Sequence, residues 1–217
     1  MDIRSSYHKK LKEIQDDVLN MGSMVSQAIL ASIDALVNRN EKLAQQIISD
    51  DLKINEKRFE IEEKCIQIMA TQQPLASDLR IIVAVLNIIT EMERIGDYAE
   101  GIAKITIMIG NEPPLKPLID IPHMAEQTVD MLNRSLDAFI GQDAVAARAI
   151  SAEDDIVDNL YNQIYRELLT YMLEDPKSIT RATRLIWVAH DLERSADRVT
   201  NICERVVFVV TGKMEEF

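Results

Sequence analysis

The sequence predicts an all-α protein made of two pseudo-symmetric three-helix bundles, and three observations predict it. Only six Gly and six Pro occur in 217 residues and aromatics are 5%, which suits long helices better than strands and tight hairpins. The prolines are confined to Pro74, the group Pro113, Pro114, Pro117 and Pro122, and Pro176. Proline is poorly tolerated inside a helix, so helices run in the intervals. Finally, the two sides of the Pro-rich middle repeat one another. Ser32, Asp34, Ala35, Ala44, Ile47 and Asp51 recur 103 residues later as Ser135, Asp137, Ala138, Ala147, Ile150 and Asp154. Glu93, Arg94, Asp97 and Ile102 recur 100 residues later as Glu193, Arg194, Asp197 and Ile202. Such self-similarity marks a duplicated unit.

The elements follow in order. The first helix runs over about 3–38 and stops at the turn-forming Asn38 to Asn40. The second covers 40–71 and ends before the Gln-Gln-Pro turn at Gln72 to Pro74, and the third covers 75–109. "GNEPPLKPLIDIP" is the connector between the halves, which are assigned to residues 1–111 and 112–217. The fourth helix covers 119–140 and ends at Gly141 to Asp143, the fifth 143–173, and the sixth 177–210 beyond Pro176. The drop in offset from 103 to 100 is absorbed in the turns at Pro74 and Pro176, where length changes are tolerated best.

Spacing assigns the faces of the third helix in each unit. Ile81, Val85, Ile88, Met92, Ile95, Ala99 and Ile102 recur at steps of three and four, as do Leu185, Val188, Leu192, Val199, Ile202 and Val206 with Ser195 as a polar member. These are core stripes. A second stripe of Leu79, Ile82, Val83 and Leu86 runs on into Glu93, Asp97 and Glu100, and its counterpart of Ile179, Ala182 and Ile186 into Glu193, Asp197 and Thr200. Gly96 costs a mid-helix position up to about 1 kcal/mol against Ala. Its counterpart is Ala196, so a small residue is expected where helices approach closely.

The net charge of −12 repels a phosphate backbone, and no basic stripe offsets it, so nucleic acid is not an expected partner. "MDIRSSYHKKLKEIQDD" is charged from its first turns and lacks the apolar core of a secretory signal. No uncharged apolar run approaches the ~20 residues that cross a bilayer. A cytoplasmic location with at most peripheral membrane contact is expected. Cys65 and Cys203 sit apart on apolar stretches without metal-ligand spacing and read as small buried hydrophobes.

Glu93 and Asp97 lie four residues apart, which puts both carboxylates on one helix face with Cβ atoms about 6 Å apart. The middle helix of each unit carries the same spacing: Asp51 and Asn55 in the first, Asp154 and Asp158 in the second. If the middle and third helices pack antiparallel, Asp51, Asn55, Glu93 and Asp97 converge on one cation, and Asp154, Asp158, Glu193 and Asp197 on another. Oxygen donors suit Mg, Mn or Ca, admit iron, and disfavour a thiolate zinc site. Asn55 is neutral, so the first site is the weaker. The competing account is a solvated acidic face on which Arg94 and Arg194 balance local charge. A carboxylate-bundle metal-storage or redox protein is the alternative function, disfavoured because none of the three histidines follows a Glu by three residues. No phosphate loop, nucleophile elbow or HExxH motif occurs, so an enzyme is not expected. Trp187 and His190 read as packing or polar-edge residues.

"MATQQPLASDLRIIVAVLNIITEMERIGDYAEGIAK", "LYNQIYRELLTYMLEDPKSITRATRL" and "HDLERSADRVTNICERVV" resemble the PhoU family, regulators of phosphate uptake that work beside the phosphate ABC transporter. The likeness spans nearly the whole chain, including both (E/D)xxxD motifs. It implies a pair of pseudo-symmetric three-helix bundles, often dimeric, so a homodimer is expected. It implies metal ions, Mg, Mn, Fe or Zn, on Asp51, Asn55, Glu93, Asp97, Asp154, Asp158, Glu193 and Asp197. It also implies a negative regulator whose partners are the transporter ATPase and a sensor histidine kinase. Asn55 departs from the acidic pattern of the family.

Overall fold

The computed structural model describes residues 3–72 and 74–217, so Gln73 of the expected Gln-Gln-Pro turn lies outside the described residues. The helices are α1 (Ile3–Asn38), α2 (Glu41–Gln72), α3 (Ala76–Ile109), α4 (Asp120–Gly141), α5 (Ala144–Ser151), α6 (Asp154–Glu174) and α7 (Ile179–Thr211), with a 3₁₀ turn at Pro176–Ser178. The fold is all-α, as the composition and proline spacing predict.

One expected boundary is wrong. The fifth helix, read as continuous over 143–173, is split into α5 and α6 at Ala152 and Glu153. Both residues keep right-handed helical dihedrals, but the bonds tighten to the i→i+3 kind, from Glu153 N–H to Ile150 C=O at 3.0 Å and from Ile156 N–H to Glu153 C=O at 2.9 Å. A tertiary contact sits at the break. Arg134 of α4 holds the Glu153 carboxylate through two hydrogen bonds of 2.8 and 2.7 Å. No Gly or Pro marks the place.

The turns that open the two middle helices coincide bond for bond. Arg39 and Gln142 both take left-handed dihedrals, φ 53° and 50°. Asn40 N–H donates to Ala35 C=O at 2.8 Å, and Asp143 N–H to Ala138 C=O at 2.9 Å. Asn40 and Asp143 then cap their helices by accepting from Leu43 N–H and Ala146 N–H. Ser32 and Ser135 each return their hydroxyl to the carbonyl three residues back at 2.7 Å. The offset of 103 is thus a structural register as well as a sequence one.

α1 and α2 pack on α3, and α4, α5 and α6 pack on α7. The two sets meet chiefly where α3 lies against α7, the most extensive helix pair, and also where α1 meets α4. All seven residues of the first core stripe and all seven of the second are buried. The other stripe is only half covered: Ile82 and Ala182 are inaccessible, while Leu79, Val83 and Ile179 are 40%, 39% and 48% exposed. Both cysteines are fully buried, and burial pushes each thiol up to about 12.

At Gly96, α3 packs tightly on α2. A Cβ there would stand 3.2 and 3.3 Å from two carbons of Ile54 and 3.5 Å from Asp51 Oδ1. Gly96→Val is therefore expected to destabilise by about 1–3 kcal/mol through overpacking. Gly141→Ala meets nothing within 4 Å and is expected to gain up to about 1 kcal/mol from helix propensity. Urea unfolding of the two variants beside the parent checks both signs.

Candidate functional site

Both acidic faces form where a middle helix lies along a third helix. On the first, Asp51 and Asn55 of α2 face Glu93 and Asp97 of α3. Burial holds the Asp51 carboxyl above the usual carboxylate range, and the nearby charges of Glu100, Asp97 and Glu93 add to this. Asn55 donates its amide to Asp51 Oδ2 at 2.9 Å. Arg94 reaches Glu93 and Asp97 only loosely, at 3.8 and 3.5 Å, with its side chain 62% exposed. Arg58 Nε stands 3.9 Å from Glu93 and its guanidinium lies over the ring of Phe59, 4.5 Å from the centroid.

On the second face Asp154 and Asp158 of α6 stand beside Glu193 and Asp197 of α7. Burial, followed by Asp197, Asp158, Glu193 and Asp155, pushes the Asp154 carboxyl up to about 7. Its Oδ1 is buried with no hydrogen-bond partner. Burial also raises Asp158, with Glu193 and Asp155 adding to it. Burial raises Asp197 as well, against the pull of Arg194. That guanidinium forks onto both carboxylates of the repeated motif: 2.6 and 2.7 Å to Glu193 and 2.8 Å to Asp197.

The carboxylates of each face thus lie near enough to charge one another's surroundings, Asp51 with Glu93 and Asp97 and Asp154 and Asp158 with Glu193 and Asp197, while Asn55 bonds Asp51 of its own helix. Among the described residues no group of three or more His, Cys, Asp or Glu side chains is closed up enough to hold a metal ion. The donor atoms on offer are of the type that a hard cation takes. They are all oxygen, and the unpartnered Asp154 Oδ1 is a buried acceptor that hydrogen bonding leaves unused.

A family model described as "PhoU domain" matches residues 18–106 and 121–206. The chain belongs to the PhoU family. It is 41% identical over 206 residues to the phosphate-specific transport system accessory protein PhoU homolog of Aquifex aeolicus, covering 95% of this chain and 93% of that protein. It is 35% identical over 211 residues to the PhoU accessory protein of Escherichia coli K12, covering 97% and 88%. The crystal structure of PhoU from Pseudomonas aeruginosa superposes with a TM-score of 0.89 at 35% identity over 95% of this chain and all of that one. The phosphate transport system regulatory protein PhoU from Streptococcus pneumoniae superposes with a TM-score of 0.90 at 28% identity over 97% and 100%. These PhoU relatives are named as accessory and regulatory proteins, not as enzymes. The duplicated three-helix architecture is the PhoU fold.

Two residues of the PhoU faces escape the motif spacing. Glu100 charges the surroundings of Asp51, and it was legible as the continuation of the apolar stripe into Glu93 and Asp97. Asp155 charges the surroundings of Asp154 and Asp158, and only its adjacency in sequence marks it. Trp187 lies 51% exposed, and His190 stands edge-on to Tyr161 with centroids 6.4 Å apart, which places both at a polar edge.

Asp154 has a pH signature. Its folded carboxyl is raised above the unfolded value of 3.8 to about 7, so the folded state holds a proton that the unfolded state releases. That contribution to stability is fully present below the unfolded value and is lost as pH rises through about 7. In chelator, the melting temperature is expected to fall between pH 5 and pH 8. Asp154→Asn is expected to flatten that fall and to melt higher at pH 8, by about 2–4 °C for each kcal/mol of relieved repulsion. Calorimetry across the pH range measures both.

Proposed function

We propose that this chain regulates phosphate uptake, acting as an adaptor between the ATPase of a phosphate ABC transporter and a sensor histidine kinase. The observation that carries it is the correspondence of both halves to the PhoU domain together with relatives named for phosphate-specific transport over almost the whole chain. In this role the chain is a negative regulator of uptake and of the phosphate-starvation response. It works in the cytoplasm as a homodimer and reaches the membrane peripherally through its partners. In keeping with this, no described helix is long and apolar enough to cross a membrane.

The two acidic faces are metal sites in the same proposal. Asp51, Asn55, Glu93 and Asp97 hold one site, and Asp154, Asp158, Glu193 and Asp197 the other, for Mg, Mn, Fe or Zn. Their oxygen donors favour the hard cations over zinc. A bound cation supplies positive charge that offsets the mutual repulsion of the carboxylates. The chain's own contribution is to crowd those carboxylates at the end of an apolar helix face and to set Arg194 against two of them, so metal and guanidinium compete for Glu193 and Asp197. The neutral Asn55 leaves the first site the weaker.

Two measurements test this. Tagged protein added to membranes that contain the transporter is expected to retain the ATPase and the kinase to different extents with and without phosphate; equal recovery, or none, removes the adaptor role. Metal at 100 times its dissociation constant is expected to stabilise by about 2.7 kcal/mol. Joint Asp154→Asn and Asp197→Asn substitution is expected to lower metal content and reduce this rise, while Asp34→Asn, off the motif, does neither. If apo and metal-loaded protein melt together, the acidic faces are only solvated surface. Light scattering over a concentration series is expected to show a mass above the 24.6 kDa of one chain.

A further inference from the structure

The halves differ in what fills the space between their first two helices. In the second half Arg134 fills it. Its guanidinium bonds Asp130 at 2.9 Å and Glu153 at 2.8 and 2.7 Å, and Gln127 also reaches Glu153, at 3.4 Å. In the register of 103 set by the coincident turns and serine bonds, the counterparts of Gln127, Asp130, Arg134 and Glu153 are Met24, Gln27, Ala31 and Asp50. The carboxylate is kept and the guanidinium is gone. Those four residues line a cavity of about 280 Å³ that the first half leaves open.

The lining says what the cavity suits. Its walls are apolar where Ala28, Leu43, Ile47 and Ile54 face it, and Asp50, Asp51 and Glu100 bring three carboxylates against the single ammonium of Lys53. Lys104 ties Glu100 from outside at 2.6 Å, which leaves one negative charge in excess. Asp50, 40% exposed, is held by the 64% exposed side chain of Lys53 at 2.6 Å, and by Gln46 at 2.9 Å. An ion pair so exposed contributes little and yields readily to a better partner. The volume lies just below that of ligand sites, which begin at about 300 Å³, and so suits a group the size of one side chain.

We infer that this cavity is a binding site for an alkylguanidinium cation, the group that the second half carries within its own chain as Arg134. The alkyl stem lies along the apolar wall, as arginine stems do, and the planar fork meets Asp50 as Arg134 meets Glu153. The fork is placed by Ala31 and Asp50, which lie outside the acidic motif, and the cavity shares only Asp51 with the metal proposal. The cation is either a free small guanidine or an arginine on a partner chain.

The test uses the full chain in EDTA, so that metal content has no influence, with two probes: butylguanidinium, and an arginine blocked on both sides in a tripeptide. Calorimetric titration is expected to show saturable binding of at least one. Tighter binding of the tripeptide assigns the site to a partner's arginine, and tighter binding of butylguanidinium to a free guanidine. Ala31→Arg supplies the cation in cis and is expected to raise the melting temperature and abolish binding. Asp50→Asn, at a half-exposed position, is expected to leave the fold intact and weaken binding by about tenfold or more, the loss of one charge-assisted bond. Binding of neither probe, or binding unchanged in both variants, overturns the inference.

Discussion

The contact of α3 with α7 constrains the rest of the molecule. Each of these helices also carries the other helices of its own half, so only a narrow strip of each, with Arg94 on α3 and Trp187 on α7, is left to solvent. Glu91 of α3 meets Arg198 and Asn201 of α7 at 3.3 and 3.2 Å, while Asp191 of α7 stands against Gly101 of α3. Exchanging the halves at the offset of 100 turns the pair 91 with 201 into 191 with 101. The two helices therefore run antiparallel about a pseudo-twofold axis. That axis makes α1 meet α4 and leaves both acidic faces on the outer flanks of the central pair.

The two mirrored positions solve the burial of a carboxylate differently. Glu91 is neutralised across the axis by a guanidinium and an amide. Asp191 has Tyr98 and Gly101 in the mirrored places. A Cβ at 101 would come within 3.0 Å of its Oδ2, so the missing side chain is what makes room for the acid. Without a guanidinium, burial pushes the Asp191 carboxyl up to about 6, moderated by His190. A buried charge without a close opposite partner is costly, and here the cost is reduced by easier protonation.

Much of this was readable before any coordinates, because burial in a helical bundle is periodic. The stripes from Ile81 to Ile102 and from Leu185 to Val206, the turns at Asn38 to Asn40 and Gly141 to Asp143, and the need for a small residue at Gly96 all follow from spacing and steric size. What escaped depends on side chains that reach across helices. The interruption at Ala152 and Glu153 is tied to Arg134 on another helix, and Arg134 looks in the sequence like any solvated arginine. Leu79, Val83 and Ile179 share a stripe with buried neighbours, yet they remain 40%, 39% and 48% exposed. The carboxylates of the motif lie close enough to raise Asp51 and Asp154 because their spacing puts them on facing sides of two packed helices whatever their rotamers. The fork of Arg194 on Glu193 and Asp197 depends on rotamers, which spacing leaves open.

Duplication also explains where the halves diverge. A change in the central stripe of α3 or α7 is felt by several packed neighbours and costs packing energy, so apolar residues face apolar residues in both copies. At the rim, Asn55 stands against Asp158, Glu100 against Thr200, and Ala31 against Arg134. Each of these changes charge in water or at its edge, where the penalty is small. The copies therefore share one scaffold and carry unlike surfaces. The second half pairs Glu153 with Arg134 and Glu193 and Asp197 with Arg194, and leaves Asp154 Oδ1 buried without a partner. The first leaves Asp50 to an exposed lysine and Glu93 and Asp97 to a loosely placed arginine. The first half therefore keeps a cavity open beside Asp50, at the place where the second half carries its own guanidinium.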